Sequence, residues 1–310
     1  MADKNMTTTS RLDHPVGIHF IKQFLAYAMP GMPYAKFGQQ VTMPAHAGET
    51  VKFRRWAAPT AQTTPLQEDV DPAPILPHKT DISATVREYG ARVRVSAWLD
   101  LTGLSQEGAE LTKWLSDQFA LTIDTLCREV LAAGASTYTC ANGSPTTTLL
   151  NATDLDIVVQ TLLGNNARPI TPLMTAAVGQ GTSPLSDSFV VIAHTDLYRD
   201  LKAVAGWRDV RNYAAPGQAY DGEVGATDHL RWILTTNGYK SGSNYYCTVL
   251  ARDAFGNIRI PSGEKLLGYK PPEQAGSEMN RYSVYFWLAN YVAQILNDAY
   301  LINIICTKSS

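Results

Sequence analysis

His194 closes the apolar run Phe189-Val-Val-Ile-Ala193 and is followed at once by Thr195 and Asp196. An imidazole beside a carboxylate at a strand end is what general-base chemistry needs, and sites in α/β sheets gather at such ends. This is the most site-like grouping in the chain, and it would suit an α+β hydrolase centred on His194. The same residues have a simpler use. Thr195 or Asp196 can cap the helix expected to follow, accepting one of its free backbone N–H groups. Capping is the better reading, because a nucleophile is lacking: there is no G-x-S-x-G elbow, and no cysteine has a neighbouring histidine.

Metal and nucleotide chemistry find as little to use. The histidines His14, His19, His46, His78, His194 and His229 include no i, i+4 pair that would grip a metal from one helical face. Glu68, Asp69 and Asp71 offer oxygen ligands of the kind calcium takes, but without the glycine-turned loop of a dedicated site; a solvated loop tip accounts for them. Gly179-Gln-Gly181-Thr-Ser-Pro184 begins like a dinucleotide loop and then puts proline where a third glycine must let a helix start. The expectation is no catalytic residue, no metal and no cofactor.

Arg54, Arg55, Arg87, Arg92 and Arg94, with Trp56 close by, are residue types that bind single-stranded nucleic acid, cations for phosphates and a ring for bases. Glu68, Asp69, Asp71 and Glu88 share the stretch, so pairing across strands or between subunits is the preferred reading. Composition agrees. Lys+Arg is 26 against Asp+Glu 28, a net charge of −2, so no global basicity calls for a nucleic acid. Charged residues make up only 17% of the chain, below the roughly 25% of a typical soluble protein, which suits a surface that largely meets other protein. A hydrophobic share of 45% over 310 residues allows a sizeable core, and the length is that of about two domains. The four cysteines lie far apart and read as reduced thiols. The N-terminus lacks a secretion pattern, and the longest apolar neighbourhood, 284–306, is broken by Asn290, Gln294, Asn297, Asp298 and Asn303, so no membrane span is expected.

The elements that must carry these residues follow from periodicity. Residues 1–47 read as an arm, interrupted by Pro15, Pro30, Pro33 and Pro44, with one apolar helical stretch through Ile18, Ile21, Phe24 and Leu25. Residues 49–56 alternate as a strand with Val51 and Phe53 on one face; 80–95 alternate again through Ile82, Ala84 and Val86. Pro59, Pro65, Pro72, Pro74 and Pro77 crowd the interval. The simplest arrangement is a two-stranded ribbon with a proline-stiffened tip. An isolated ribbon is marginal in water, and the flanking arm supplies no sheet. Val51, Phe53, Ile82 and Val86 are therefore expected to lie on a neighbouring copy, with Arg54 or Arg92 meeting an acid across the joint.

Leu111, Leu115, Phe119, Ile123, Leu126 and Val130 predict a helix of about 28 residues, roughly 42 Å at 1.5 Å each, starting from Thr102 or Ser105 and ending at Gly134. Thr153-Asp-Leu-Asp156 is expected to cap a second helix through Ile157, Val158, Leu162 and Leu163. The wholly apolar strand 189–193 should be central in its sheet. A short helix at 195–204 and strands at 230–235, 245–251, 258–261, 282–289 and 299–306 complete an α+β pattern.

Seven motifs then occur in order: Gly48-Glu-Thr-Val-Lys-Phe53, Ala84-Thr-x-x-x-Tyr-Gly90, Leu99-Asp-Leu-Thr102, Thr153-Asp-Leu-Asp156, Val190-Val-Ile-Ala-His194, Gly222-Glu-Val-Gly225 and Asp253-Ala-Phe-Gly256. Through them the chain resembles the tailed-bacteriophage major capsid proteins of the Hong Kong 97-type fold, in the branch related to the coat protein of podophage N-four. The resemblance implies an N-terminal arm (1–47), an extended two-stranded loop (48–97), a peripheral domain with a long spine helix (98–150), a mixed α+β axial domain (151–240) and return strands (241–310). It implies self-assembly into hexamers and pentamers that close an icosahedral head around double-stranded DNA. The implied partners are a portal and scaffold or cement proteins, with DNA touched non-specifically; the implied place is the virion, assembled in the bacterial host cytoplasm. Val51, Phe53, Arg54, Trp56, Glu68, Asp69, Ile82, Val86 and Arg92 are the residues expected to meet other subunits. A bacterial nanocompartment shell of the same fold is the alternative.

Overall fold

The computed structural model describes residues 32–66, 68, 71–72, 74–102, 107–141, 147–172, 185–213, 219–261, 265–275 and 279–309. Its first elements are α1 (Pro33–Lys36), β1 (Gln39–Thr42), β2 (Thr50–Trp56), β3 (Lys79–Thr85) and β4 (Arg87–Ser96). Then come α2 (Ala97–Thr102), the long α3 (Glu107–Ala132), β5 (Thr137–Thr139) and α4 (Ala152–Gly164). The second half runs through β6 (Phe189–His194), a 3₁₀ turn (Thr195–Leu197), α5 (Tyr198–Ala203), β7 (Trp207–Asp209), β8 (Glu223–Thr227) and β9 (Leu230–Thr235). It ends with β10 (Lys240–Ser241), β11 (Asn244–Leu250), β12 (Phe255–Arg259), β13 (Lys265–Lys270), β14 (Tyr282–Ile295) and β15 (Leu301–Thr307).

A five-stranded sheet is organised on β14, 14 residues long. One edge of β14 pairs antiparallel with β4, from Tyr282 opposite Ser96 to Tyr291 opposite Arg87. The other edge takes β13 and then β12, and β1 lies parallel to β12 at the margin. This corrects the expectation that the ribbon's return strand has no sheet to join: residues 87–96 are a full partner of β14. The reason lies nearly two hundred residues downstream, in a strand predicted to end at 289 that continues to Ile295.

Helix α3 packs against this sheet with Leu115, Phe119, Ile123, Cys127 and Leu131 buried. The Phe119 ring meets Trp287 of β14 edge-on, centroids 5.5 Å apart, an arrangement favoured by the ring quadrupoles. Leu126 and Val130, expected in the core stripe, are only partly buried beside it. Thr102 is the last residue of α2, α3 begins at Glu107, and Ser105 lies outside the described residues. At the far end Gly134 donates its N–H to Leu131 O at 3.1 Å. A Cβ there would stand 2.7 Å from Leu301 Cδ2, so a larger residue would have to displace that side-chain end.

The eight-stranded sheet has the order β5-β15-β11-β6-β9-β8-β7, with β10 against β11. As expected, β6 is central: it runs antiparallel to β11 and parallel to β9, and every residue is buried. Its two faces serve different cores. Phe189, Val191 and Ala193 point to the α4 and α5 side with Leu155, Val158 and Leu162, whereas Val190 and Ile192 meet the α3 core. A strand covered on both faces must be apolar throughout. Helix α4 is capped by Asn151, which accepts the Thr153 N–H, and not by the Thr-Asp pair proposed from sequence. Ile157 and Leu163, assigned to its inner face, lie outside at 39% and 51% exposure.

Candidate assembly surfaces

His194 has a definite use in the fold. Its Nδ1 accepts the Asp196 N–H at 3.1 Å, so the histidine itself caps the 3₁₀ turn, where Thr195 or Asp196 was expected to do so. Asp196 Oδ2 accepts the Tyr245 hydroxyl at 2.9 Å, and that bond, with His194, Lys308 and Lys240 nearby, holds its carboxyl below the usual range. Gly238 packs on the His194 backbone, where a Cβ would stand 2.7 Å from both Cα and N. An Nδ1 that accepts a backbone N–H leaves the ring proton on Nε2 and ties the imidazole to the turn. Among the described residues no cluster of three histidines, cysteines or acids is arranged to hold a metal.

The ribbon is built largely as its alternation predicts. β2 and β3 pair antiparallel in a two-stranded sheet, Val51 opposite Ala84 and Phe53 opposite Ile82 on one face, Arg54 opposite Asp81 on the other. Its root does not wait for a neighbour. Ala84 and Val86 are buried with Met43 and Ile258, and Val51 and Phe53 pack against that cluster. Val86, expected to touch another subunit, is spent within its own chain; Val51 and Phe53 retain partly exposed surfaces. Arg54 likewise meets its acid at home, in a pair with Asp81. Lys79 Nζ lies 4.1 Å from the Trp56 ring centroid, a cation–π contact. The arginines divide: Arg54 and Arg55 are on the ribbon, while Arg87, Arg92 and Arg94 belong to β4. Ile82 is half-buried, Arg92 and Glu68 are exposed, and Asp69 lies outside the described residues.

Two groups of exposed large apolar side chains lie on the ribbon and on the helices that follow it. Beyond the paired strands, Leu66, Ile75 and Leu76 are 65–78% exposed, and Trp56 stands at the last pair. On the body, Trp98 in α2 and Trp114 and Leu121 in α3 are also exposed. Trp114 and Leu121 are seven residues apart, two helical turns, and so lie along one side of α3. Sequence reading passed over this outer side because the inner stripe uses the same residue types at interleaved positions. Exposed aromatic and aliphatic side chains gathered in this way mark protein-contact surfaces.

No protein-family model and no curated protein matches the sequence. Solved structures do match the fold. The capsid of Ralstonia phage GP4 is similar over 88% of this chain and 88% of its own, with 13% identity and a TM-score of 0.66. The capsid structure of cyanophage P-SCSP1u is similar over 90% of this chain and 89% of its own, with 11% identity and a TM-score of 0.61. The chain has the Hong Kong 97-type capsid fold. The Hong Kong 97-type fold is matched as well by a virus-like particle from Pyrococcus furiosus, over 94% of this chain and all of that one, with 10% identity and a TM-score of 0.54. At such identities the shared property is the path of the backbone. That path is shared over about nine-tenths of the chain.

Proposed function

We propose that this chain is the major capsid protein of a tailed bacteriophage, in the branch related to the podophage N-four coat protein, and that it turns over no substrate. The carrying observation is a subunit that is unfinished by itself: a ribbon rooted in its own sheet ends in Leu66, Ile75 and Leu76, all exposed, on a fold similar to phage capsids along most of its length. In this reading 1–47 is the arm, 48–97 the extended loop, 98–150 the peripheral domain on spine helix α3, 151–240 the axial domain and 241–310 the return strands.

The subunit would assemble as hexamers and pentamers into the icosahedral shell of the virion. Trp56, Glu68, Asp69, Ile82, Arg92 and the outer surfaces of Val51 and Phe53 would meet neighbours. Permanent interfaces of this kind bury above about 2,000 Å² and resemble split cores. A net charge of −2 suits a container of DNA, because a strongly cationic wall would bind the polyanion and become salt-sensitive. A portal and scaffold or cement proteins would complete the head, which would assemble in the host cytoplasm around non-specifically held double-stranded DNA.

The similarity to the Pyrococcus furiosus particle supports a second reading, a nanocompartment shell. Negative-stain microscopy of the purified full chain tests the shared part: shells or capsomers are expected, and lone particles of 33.9 kDa would overturn both readings. Nuclease-protected DNA inside particles from the native source separates them in favour of the phage head; a protein cargo without DNA would favour the compartment. Hydrolytic turnover lost in His194→Ala would overturn the non-enzymatic assignment.

A further inference from the structure

A cleft opens where the described chain begins. Phe119 and Ile123 of α3 and Tyr291 of β14 line it, together with Met32 and Ala35 at the start of the described residues. Its volume is about 510 Å³, the size of a site that takes a ligand. The segment beside it is firmly seated. Asp124 of α3 accepts the Tyr34 N–H at 2.9 Å, Asn257 of β12 donates to Ala35 O at 2.7 Å, and Tyr34 is wholly buried. Met32 is itself part of the lining, so the chain that precedes it starts out from the cleft.

We propose that this cleft is the docking site of the same chain's residues 16–29, which lie outside the described residues. A helical reading of that stretch puts Ile18, Ile21, Phe24 and Leu25 on one face and His19, Lys22 and Gln23 on the other. An isolated helix shorter than about 12–15 residues is marginal in water, so such a stretch needs an apolar surface to lie on. An apolar helix face laid into an apolar groove is a common mode of peptide recognition. Only Pro30 and Gly31, a turn-forming pair, separate the stretch from Met32. Leu25 stands seven residues before Met32, a reach of at most about 25 Å extended and about 10 Å as helix, so folding back onto the cleft is within its span.

Two features select this occupant over others. The cleft makes no demand for an anionic ligand, because Lys36 beside it is engaged by Asp221 at 3.6 Å and lies 5.4 Å from the Tyr220 ring centroid. Its remaining offer is the apolar surface of Phe119, Ile123 and Ala35, which Ile21, Phe24 and Leu25 would extend into the core between α3 and β14. The two-residue link also sets an effective concentration of about millimolar, against which a second copy or a separate protein must compete.

Photocross-linking in the full-length chain tests this. With Phe24→p-benzoylphenylalanine, irradiation should give a cross-link that runs with the monomer on a denaturing gel and maps by mass spectrometry to 119–123, 257–259 or 291. Ala35→Trp, which fills the cleft from its lining, should lower that yield about fivefold or more. A cross-link in a dimer band would overturn the proposal in favour of a second copy's segment. A cross-link mapped elsewhere, the absence of any cross-link, or a yield unmoved by Ala35→Trp would overturn it as well. Should Ala35→Trp fail to fold, Ile21→Asp, placed in the segment and not in the body, should cause the same loss and decides the same point. The readout concerns one subunit and holds whatever shell the chain builds.

Discussion

Arg54 and Asp81 stand directly opposite each other across β2 and β3, with Arg54 Nε 2.9 Å from Asp81 Oδ1 and Nη2 3.3 Å from Oδ2. This two-pronged pair holds the Asp81 carboxyl below its usual range and closes the open face of the ribbon on itself. The opposite face is seated by Val51 and Phe53 on the cluster of Met43, Ala84, Val86 and Ile258. The root of the ribbon is therefore an intramolecular structure, whereas Leu66, Ile75 and Leu76 beyond it stay exposed.

Removing residues 58–77 should consequently leave a folded subunit that cannot close shells. The deletion spares the terminal pair Trp56–Lys79 and all of β4. Thermal unfolding should be near that of the parent chain while electron microscopy shows no closed particles; normal shells from the deleted chain would contradict the assignment of the tip.

Truncating α3 at its contact with β14 should be costly. Phe119→Ala and Ile123→Ala each empty a site that is 2% and 5% exposed, and each should lose about 2–5 kcal/mol in denaturant unfolding. A cysteine at position 119 should also resist hydrophilic thiol reagents in the folded chain.

Gly238 is a test of close packing on the strand end. A methyl group there would press on the His194 backbone at 2.7 Å, and backbone cannot rotate away. Gly238→Ala should cost about 1–3 kcal/mol, in the range of overpacked cores. A melting temperature equal to the parent's would show that the turn yields.

The buried pair Glu223–Arg231 makes an asymmetric prediction. Arg231 Nε and Nη2 donate to Glu223 at 2.8 and 2.7 Å, and Glu223 also accepts the Tyr213 hydroxyl and the Tyr220 N–H at 2.7 and 2.9 Å. Glu223→Ala leaves a guanidinium buried without its carboxylate and should cost about 3–5 kcal/mol. Replacing both partners by apolar residues should cost less than the two single changes together, as a double-mutant cycle would measure.

Local periodicity was enough to place α3, the β2–β3 ribbon with its facing pairs, and β6 at the centre of a sheet. Each rests on neighbours along the chain: apolar residues a helical turn apart, alternation over seven residues, or an unbroken apolar run. What covers the ribbon's apolar face was less legible. Alternation correctly put Val51, Phe53 and Ile82 on one face, yet could not say what covers that face, because the covering residues Met43 and Ile258 sit elsewhere in the chain.

By itself, then, the order of residue types determined which segments are helix, ribbon and core strand, and that no familiar catalytic or metal motif runs along the chain. Tertiary structure alone decided what each polar group is for. His194 became a cap because its own Nδ1 reaches the Asp196 N–H, and β4 found a sheet because β14 extends past it. Asp124 became a junction because Tyr34, 90 residues before it, and Asn237, 113 residues after it, both donate to its carboxylate. Periodicity reports which side of an element is buried; only the folded chain brings donors that distant within 3 Å of one buried charge, where low polarity makes each bond count.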